Sequence, residues 1–182
     1  IVRKAMHKEL EQRYQGWDEF SRDLAEAFRT EHLGEDEEVA DTEKFNTMRS
    51  LAFFNDFTDP ELWEVMRIST WENLPAGTTI MQDGDRGDFF CILASGEVKV
   101  TKRKKLLNVL TPGECFGEMA YLSRQGNERT ADVGSLSDSR IIRIRSTDLD
   151  HASDACRHRF DRAFMAILVE RLTLANIRLT SV

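Results

Sequence analysis

The sequence predicts an α+β fold, mainly β, in which helices flank a block of short strands. Three observations carry this. Between about residues 70 and 148 the apolar residues recur with a period near two. Glycine-bearing turns interrupt them every few residues. On either side of this block the period lengthens to that of a helix.

Taken in order, residues 1–33 read as helical. Arg3 to Glu11 are good helix formers without a breaker. Gly16 interrupts, and Asp18 is a cap for a second helix in which Phe20, Leu24, Ala27 and Phe28 share a face. Two such helices form no core alone and must pack on something else. Residues 34–44 follow as an acidic linker, solvated or offered to a basic partner; six of the ten residues 34–43 are Asp or Glu. Residues 45–69 are helical again, with an apolar cluster at Phe45, Met48 and Leu51 to Phe54. Asp59-Pro60-Glu61 gives a helix start with Asp59 as cap and Pro60 in the first turn.

Strand candidates then run over Thr78–Met81, Asp88–Ala94, Glu97–Lys102, Leu106–Leu110, Ala131–Ser135 and Arg140–Arg145. Gly84, Gly87, Gly96 and Gly113 are read as turn residues between them. Many short strands at close spacing fit a sandwich, a barrel or a jelly roll. Helices close the chain over 149–182, the longest from about Cys156 to Leu179. There Met165, Leu168, Leu172, Ala175 and Leu179 form an apolar stripe for packing, for a mobile lid or for a dimer seam.

Composition narrows the function. The 182 residues hold 25 Lys+Arg and 32 Asp+Glu, a formal charge of −7. Phosphate neutralisation needs a basic surplus, so no nucleic-acid partner is expected. The basic run Lys102-Arg103-Lys104-Lys105 lies between two strand candidates and reads as an exposed hairpin tip. No apolar run is long enough for a membrane span. Cys91, Cys115 and Cys156 form no CxxC pair, and free thiols fit a cytoplasmic setting. The four histidines have no metal-ligand spacing, and GxSxG, Walker A and HExxH patterns are missing, so no catalytic residue, metal or cofactor is expected. The opening Ile1-Val2-Arg3-Lys4 has neither an initiating Met nor a signal-peptide pattern, which is the expectation for a piece of a longer protein.

One stretch breaks the strand pattern: Phe116-Gly117-Glu118-Met119-Ala120-Tyr121-Leu122, followed by Arg129-Thr130-Ala131-Asp132-Val133. Gly117 permits a tight turn, Glu118 to Leu122 can make one helical turn whose N–H groups face an anion, and Arg129 can converge on the same anion. At these residues the chain resembles the cyclic nucleotide-binding domains, found in cAMP-dependent kinase regulatory subunits, the catabolite activator protein and cyclic-nucleotide-gated channels. The upstream residues Pro75-Ala76-Gly77, Gly84, Gly87 to Leu93 and Gly96-Glu97-Val98 are similar to that family's glycine-spaced strands.

The resemblance covers about residues 45–180 and implies an eight-stranded jelly-roll-like β-roll with N- and C-terminal helices. It implies that Glu118 accepts a hydrogen bond from the ribose 2′-hydroxyl and that Arg129 pairs with the cyclic phosphate. Backbone around Gly117, Glu118, Met119, Ala120 and Ala131 would complete the cradle. Thr130 follows the Arg: cGMP-selective relatives use a hydroxyl here, cAMP kinases carry Ala, and the catabolite activator has Ser yet responds to cAMP. The ligand is read as cAMP ahead of cGMP. The interval from Glu118 to Arg129 is longer than in the kinase subunits and nearer the catabolite activator's.

The opening residues Glu9 to Leu24, with Arg13-Tyr14 at their centre, resemble the end of a bacterial Ser/Thr protein kinase domain. No HRD, DFG, Gly-rich loop or β3 Lys accompanies them, so the segment itself cannot transfer phosphate. The sequence therefore reads as a regulatory domain that senses a cyclic nucleotide and moves its flanking helices to control an attached effector, a kinase. The rivals are a channel-type gating module, a nucleotide-free structural or dimerisation roll, and a cupin-like enzyme. The last needs metal-binding His, and Thr78 to Arg145 contain none.

Overall fold

The computed structural model describes residues 13, 14, 16, 35–123 and 128–180 of the chain. The two helices expected over 1–33 and the kinase-like segment lie outside the described residues, save Arg13, Tyr14 and Gly16, as do residues 124–127. The chain divides into two units, residues 1–44 and 45–182. The acidic stretch expected as a linker is, from Glu35 on, the start of helix α1 (Glu35–Ser50). Glu is a good helix former.

The second unit carries the roll. A 3-10 turn (Ala52–Phe54) and helix α2 (Asp59–Ile68) precede strands β1 (Ser69–Leu74), β2 (Thr79–Met81), β3 (Phe89–Ser95), β4 (Val98–Lys102), β5 (Lys105–Leu110) and β6 (Cys115–Phe116). A one-turn helix α3 (Glu118–Leu122) then interrupts the sheet before β7 (Asp132–Ser135) and β8 (Ser139–Arg145). Helices α4 (Ser146–Asp150) and α5 (Asp154–Thr180) follow. The strands form two antiparallel four-stranded sheets, β1-β8-β3-β6 and β2-β7-β4-β5. This is the eight-stranded roll with helices before and after it that the sequence led us to expect.

Two strands are additions to the candidates read from the sequence. β1 pairs with β8 from Ser69 opposite Ile144 to Leu74 opposite Ser139. Its run Ser-Thr-Trp-Glu-Asn-Leu carries little apolar alternation, and none of its six residues is fully buried, so neither face is marked by a run of apolar side chains. β6 is two residues long, too short for periodicity to register. The cap of α2 also moves: Thr58, not Asp59, is the N-cap, and the Thr58 N–H donates to Glu61 Oε2 at 2.7 Å.

β3 explains the layering. Strand side chains alternate between faces, and here both faces are buried. Phe90 and Ile92 join Ile142 and Ile144 against the helices, where Phe53, Phe54, Phe57, Leu62, Phe160 and Phe164 meet them. Cys91 and Leu93 point between the sheets with Met81, Val98, Leu110, Phe116, Val133 and Ile141. That two-sided burial is why Phe89 to Leu93 is apolar without alternation.

α5 covers the helical side through Cys156, Phe160 and Phe164, all at most 1% exposed. Of the three readings of the apolar stripe, packing on the roll does not hold for Met165, Leu168 and Leu172, which are 65%, 39% and 63% exposed; the face on the core is the aromatic one beside them. The side chains of Ala175 and Leu179 lie outside the described residues. The start of α5 is tied to α2. Ser153 donates to Glu64 through its N–H (2.6 Å) and hydroxyl (2.7 Å), and Arg159 Nε reaches both Glu61 oxygens at 3.3 Å.

Two stability predictions come from this packing. Phe160 touches Phe53, Phe57, Phe90 and Phe164, so Phe160→Ala lowers unfolding free energy by about 3–5 kcal/mol, read from urea melts. Burial raises the Glu61 pKa, but the Thr58 backbone and hydroxyl and the Arg159 guanidinium outweigh it, so the carboxyl sits below its usual value. A carboxyl lowered on folding contributes stability above its unfolded pKa, about 4.3, and loses it as pH falls through the folded value. Glu61→Gln therefore destabilises the domain at neutral pH and flattens the acid limb of its stability profile; an unchanged acid limb in urea melts taken across pH contradicts this.

Candidate functional site

Glycine makes the space for the site. At the end of β6, Gly117 has φ +81°, a left-handed conformation that turns the chain into α3. A Cβ there would lie 2.6 Å from Met81 Cε and 2.7 Å from Arg129 Nη1. Gly87 is needed for a different reason. Its φ is ordinary, yet a Cβ would stand 2.7 Å from both Ala120 Cβ and Arg129 Cζ. Gly87 is therefore a close-approach glycine rather than the turn residue read from the sequence.

Arg129 fills that space. Its N–H donates to the Asp85 carbonyl at 2.7 Å, and its own carbonyl accepts from the Gly84 N–H at 2.9 Å, so the turn before β3 holds its backbone. Its guanidinium lies over the Phe89 ring at 4.4 Å, and Nη1 donates to the Gly117 carbonyl at 3.0 Å. The residue is 5% exposed, and burial pulls its pKa below the usual guanidinium value. Nη2 is buried and has no acceptor among the described residues.

Glu118 is 1% exposed at the first position of α3. Arg171 of α5 donates through Nη1 to its Oε1 and through Nη2 to the Cys115 carbonyl. Burial pushes the Glu118 pKa up, with Arg171 opposing it. Oε2 is buried without a donor among the described residues. Beside this pair, Lys102 Nζ donates to Asp83 Oδ1 and to the Thr130 carbonyl, both at 2.8 Å, and steadies the strand end that follows Arg129.

Both orphaned atoms belong to residues of one cavity, about 230 Å³ in volume. The structure brings all seven sequence-derived site residues to its wall: Gly117, Glu118, Met119, Ala120, Arg129, Thr130 and Ala131. A buried cation lacking one acceptor and a buried carboxylate lacking one donor suit a ligand that carries an anionic oxygen and a hydroxyl.

Comparison with known proteins gives that ligand class a family. Residues 71–155 match the model of the cyclic nucleotide-binding domain. This part of the chain belongs to the cyclic nucleotide-binding domain family. The chain is 32% identical over 92 residues to cGMP-dependent protein kinase 2 of Mus musculus, covering 47% of this chain and 12% of the kinase. It is 31% identical over 121 residues to a cyclic nucleotide-gated channel of Caenorhabditis elegans, covering 63% of this chain and 16% of the channel. Among solved structures, it is similar to the catabolite activator protein of Thermus thermophilus, with a TM-score of 0.59 and 26% identity over 70% of this chain and 61% of that one. The chain thus spans a small part of the curated relatives it matches.

Sequence reasoning missed three features of the cyclic nucleotide-binding domain. Arg171 and Leu174 of α5 line the cavity, more than fifty residues from Glu118 in the chain, and helical periodicity carries no mark of that contact. Asn108 lines the opposite wall from β5. Cys91, Cys115 and Cys156 are free and buried, and burial pushes Cys91 and Cys156 up to about 12. Among the described residues no His/Cys/Asp/Glu group is arranged for a metal, and no helix is long and apolar enough to cross a membrane.

The close fit at Gly87 has a measurable consequence. Gly87→Ala must displace Arg129 or α3, at a stability cost of about 1–3 kcal/mol. Its urea midpoint falls accordingly; an unshifted midpoint means the wall yields freely and Arg129 is not held as described.

Proposed function

We propose that this domain is a sensor of a cyclic nucleotide, cAMP ahead of cGMP, that controls an attached effector. The observation that carries the reading is the pair of orphaned atoms in one cavity, Arg129 Nη2 and Glu118 Oε2. The cyclic phosphate supplies the missing acceptor, and the ribose 2′-hydroxyl supplies the missing donor. Gly117, Met119, Ala120, Thr130 and Ala131 then line the nucleotide, and no metal or further cofactor enters.

Signalling follows from Arg171. The carboxylate that takes the ribose also holds this α5 side chain. A nucleotide that changes the Glu118–Arg171 pair favours one placement of the C-terminal half of α5 over another, by as much as its affinity differs between the two states. α5 is tied at its other end to α2 through Glu61 and Glu64, so a shift can reach the segment N-terminal to the roll. We take the effector to be a Ser/Thr protein kinase in the cytoplasm, attached through residues 1–44. The exposed Met165, Leu168, Val169 and Leu172 of α5 fit a homodimer along that helix. The channel-type gating module is the second reading, supported by the match of 121 residues to the channel.

Calorimetric titration of the 182-residue chain with cAMP and cGMP tests the sensor. Saturable binding is expected, and Arg129→Ala weakens it by roughly tenfold to a hundredfold, the range of a hydrogen bond to a charged group. Binding of neither nucleotide, in a chain with a cooperative urea transition, overturns the reading in favour of a nucleotide-free roll.

A further inference from the structure

Five polar side chains line the cavity, and four of them stand together: Glu118, Arg129, Thr130 and Arg171. Asn108 is the fifth, and it stands apart. It ends a row of side chains that crosses the second sheet. Met81 of β2 faces Val133 of β7, Val133 faces Val100 of β4, and Val100 faces Asn108 of β5. All four residues line the cavity.

The row has a direction. Met81 sits at the phosphate end, where its Sδ and Cε crowd the Gly117 position at 3.0 and 2.6 Å from a Cβ built there. Asn108 lies three strands away, ~14 Å backbone to backbone at the usual strand spacing, so it stands at the end of the cavity away from the phosphate. A nucleotide held by its phosphate at Arg129 thus lays its sugar along Val133 and Val100 and turns its base toward Asn108.

The Asn108 amide is available for that base. It is half-buried in a wall shared with Val100, Leu107 and Leu110, and among the described residues no side chain or backbone group hydrogen-bonds the amide. An amide offers one donor and one acceptor side by side. Adenine presents the complement, the N6 amino donor and the N7 acceptor, whereas guanine presents two acceptors, O6 and N7. Thr130, the position at which the family resemblance offers a hydroxyl for guanine, is exposed, and its hydroxyl contacts Met119 Sδ at 3.8 Å.

We propose that Asn108 is a specificity-determining residue that reads the N6/N7 edge of the base and selects cAMP over cGMP. This rests on the nucleotide-sensor reading above, and one set of titrations separates the two. The 182-residue chain, Asn108→Leu and Asn108→Arg are each titrated with cAMP and cGMP, with urea melts to show that each variant folds.

The parent is expected to prefer cAMP by roughly tenfold or more, the discrimination of a bidentate amide–adenine pair. Asn108→Leu removes most of that preference by weakening cAMP and leaving cGMP nearly unchanged. Asn108→Arg, with donors for both guanine acceptors, turns the preference toward cGMP. If Asn108→Leu fails to fold, the Arg variant alone decides. A parent that binds but prefers cGMP, or variants that keep the parent's ratio, overturn the role of Asn108 while leaving the sensor standing. A folded parent that binds neither nucleotide overturns both.

Discussion

Two opposite charges, Glu118 and Arg129, are buried in one wall of the roll, and each is only partly satisfied by the protein. Burying a charge is costly unless it is paired and hydrogen-bonded. The surrounding structure can be understood as what makes that burial tolerable. Gly87 and Gly117 clear the volume that the Arg129 guanidinium occupies. Phe89 lies against its face, and the Gly117 carbonyl takes one of its N–H groups. Glu118 is answered by Arg171 from the far end of the chain. What is left over is one donor and one acceptor in a shared cavity. A roll without a ligand gains nothing from holding those two atoms dry, and that is the physical reason to treat the cavity as built for an occupant.

The same arrangement joins the site to the helices. The first half of α5 is a core element: Cys156, Phe160 and Phe164 are fixed between β3 and the aromatic cluster of Phe53, Phe54 and Phe57. The second half has no such cover, since Met165, Val169 and Leu172 are more than 60% exposed. Arg171 attaches it to the roll through Glu118 and the Cys115 carbonyl. One helix is therefore anchored by packing at one end and by a site carboxylate at the other. A ligand acting on Glu118 acts on the loosely held half and leaves the anchored half in place.

The parts of this architecture that were legible in the sequence are the parts set by local backbone geometry. Gly84, Gly96, Gly113 and Gly117 have positive φ, a requirement that glycine meets and most residues do not, so the turns of the roll could be read directly. Gly117-Glu118 and Arg129 also sit in one short segment, and their convergence needed only a turn, a helix and a strand. What escaped was set by tertiary packing. β1 lacks strand alternation because its partner β8 and the helices decide which of its residues are covered. The buried stripe of α5 passed unnoticed beside Met165, Leu168 and Leu172, since two apolar stripes on one helix look alike until one meets a core. Arg171 and Asn108 carry no local mark at all; only the closed roll puts a C-terminal helix and a β5 wall around the same cavity.

The two ends of the cavity also differ in what could change without loss of the fold. At the phosphate end nearly every atom is committed: a Cβ at either Gly87 or Gly117 would collide with the Arg129 guanidinium, and the backbone of Arg129 is held on both sides by the Asp83–Asp85 turn. At the base end the wall is side chain alone, with Val100, Leu107, Asn108 and Leu174 presented by a hairpin and a half-free helix. β5 is an edge strand, so a substitution there disturbs one neighbour rather than two. Recognition of the charged part of a ligand is thus bound to the stability of the roll, whereas recognition of its variable part is mechanically separate from it. A fold arranged in this way can keep one cradle and change the molecule it answers to by altering a single residue of an edge strand.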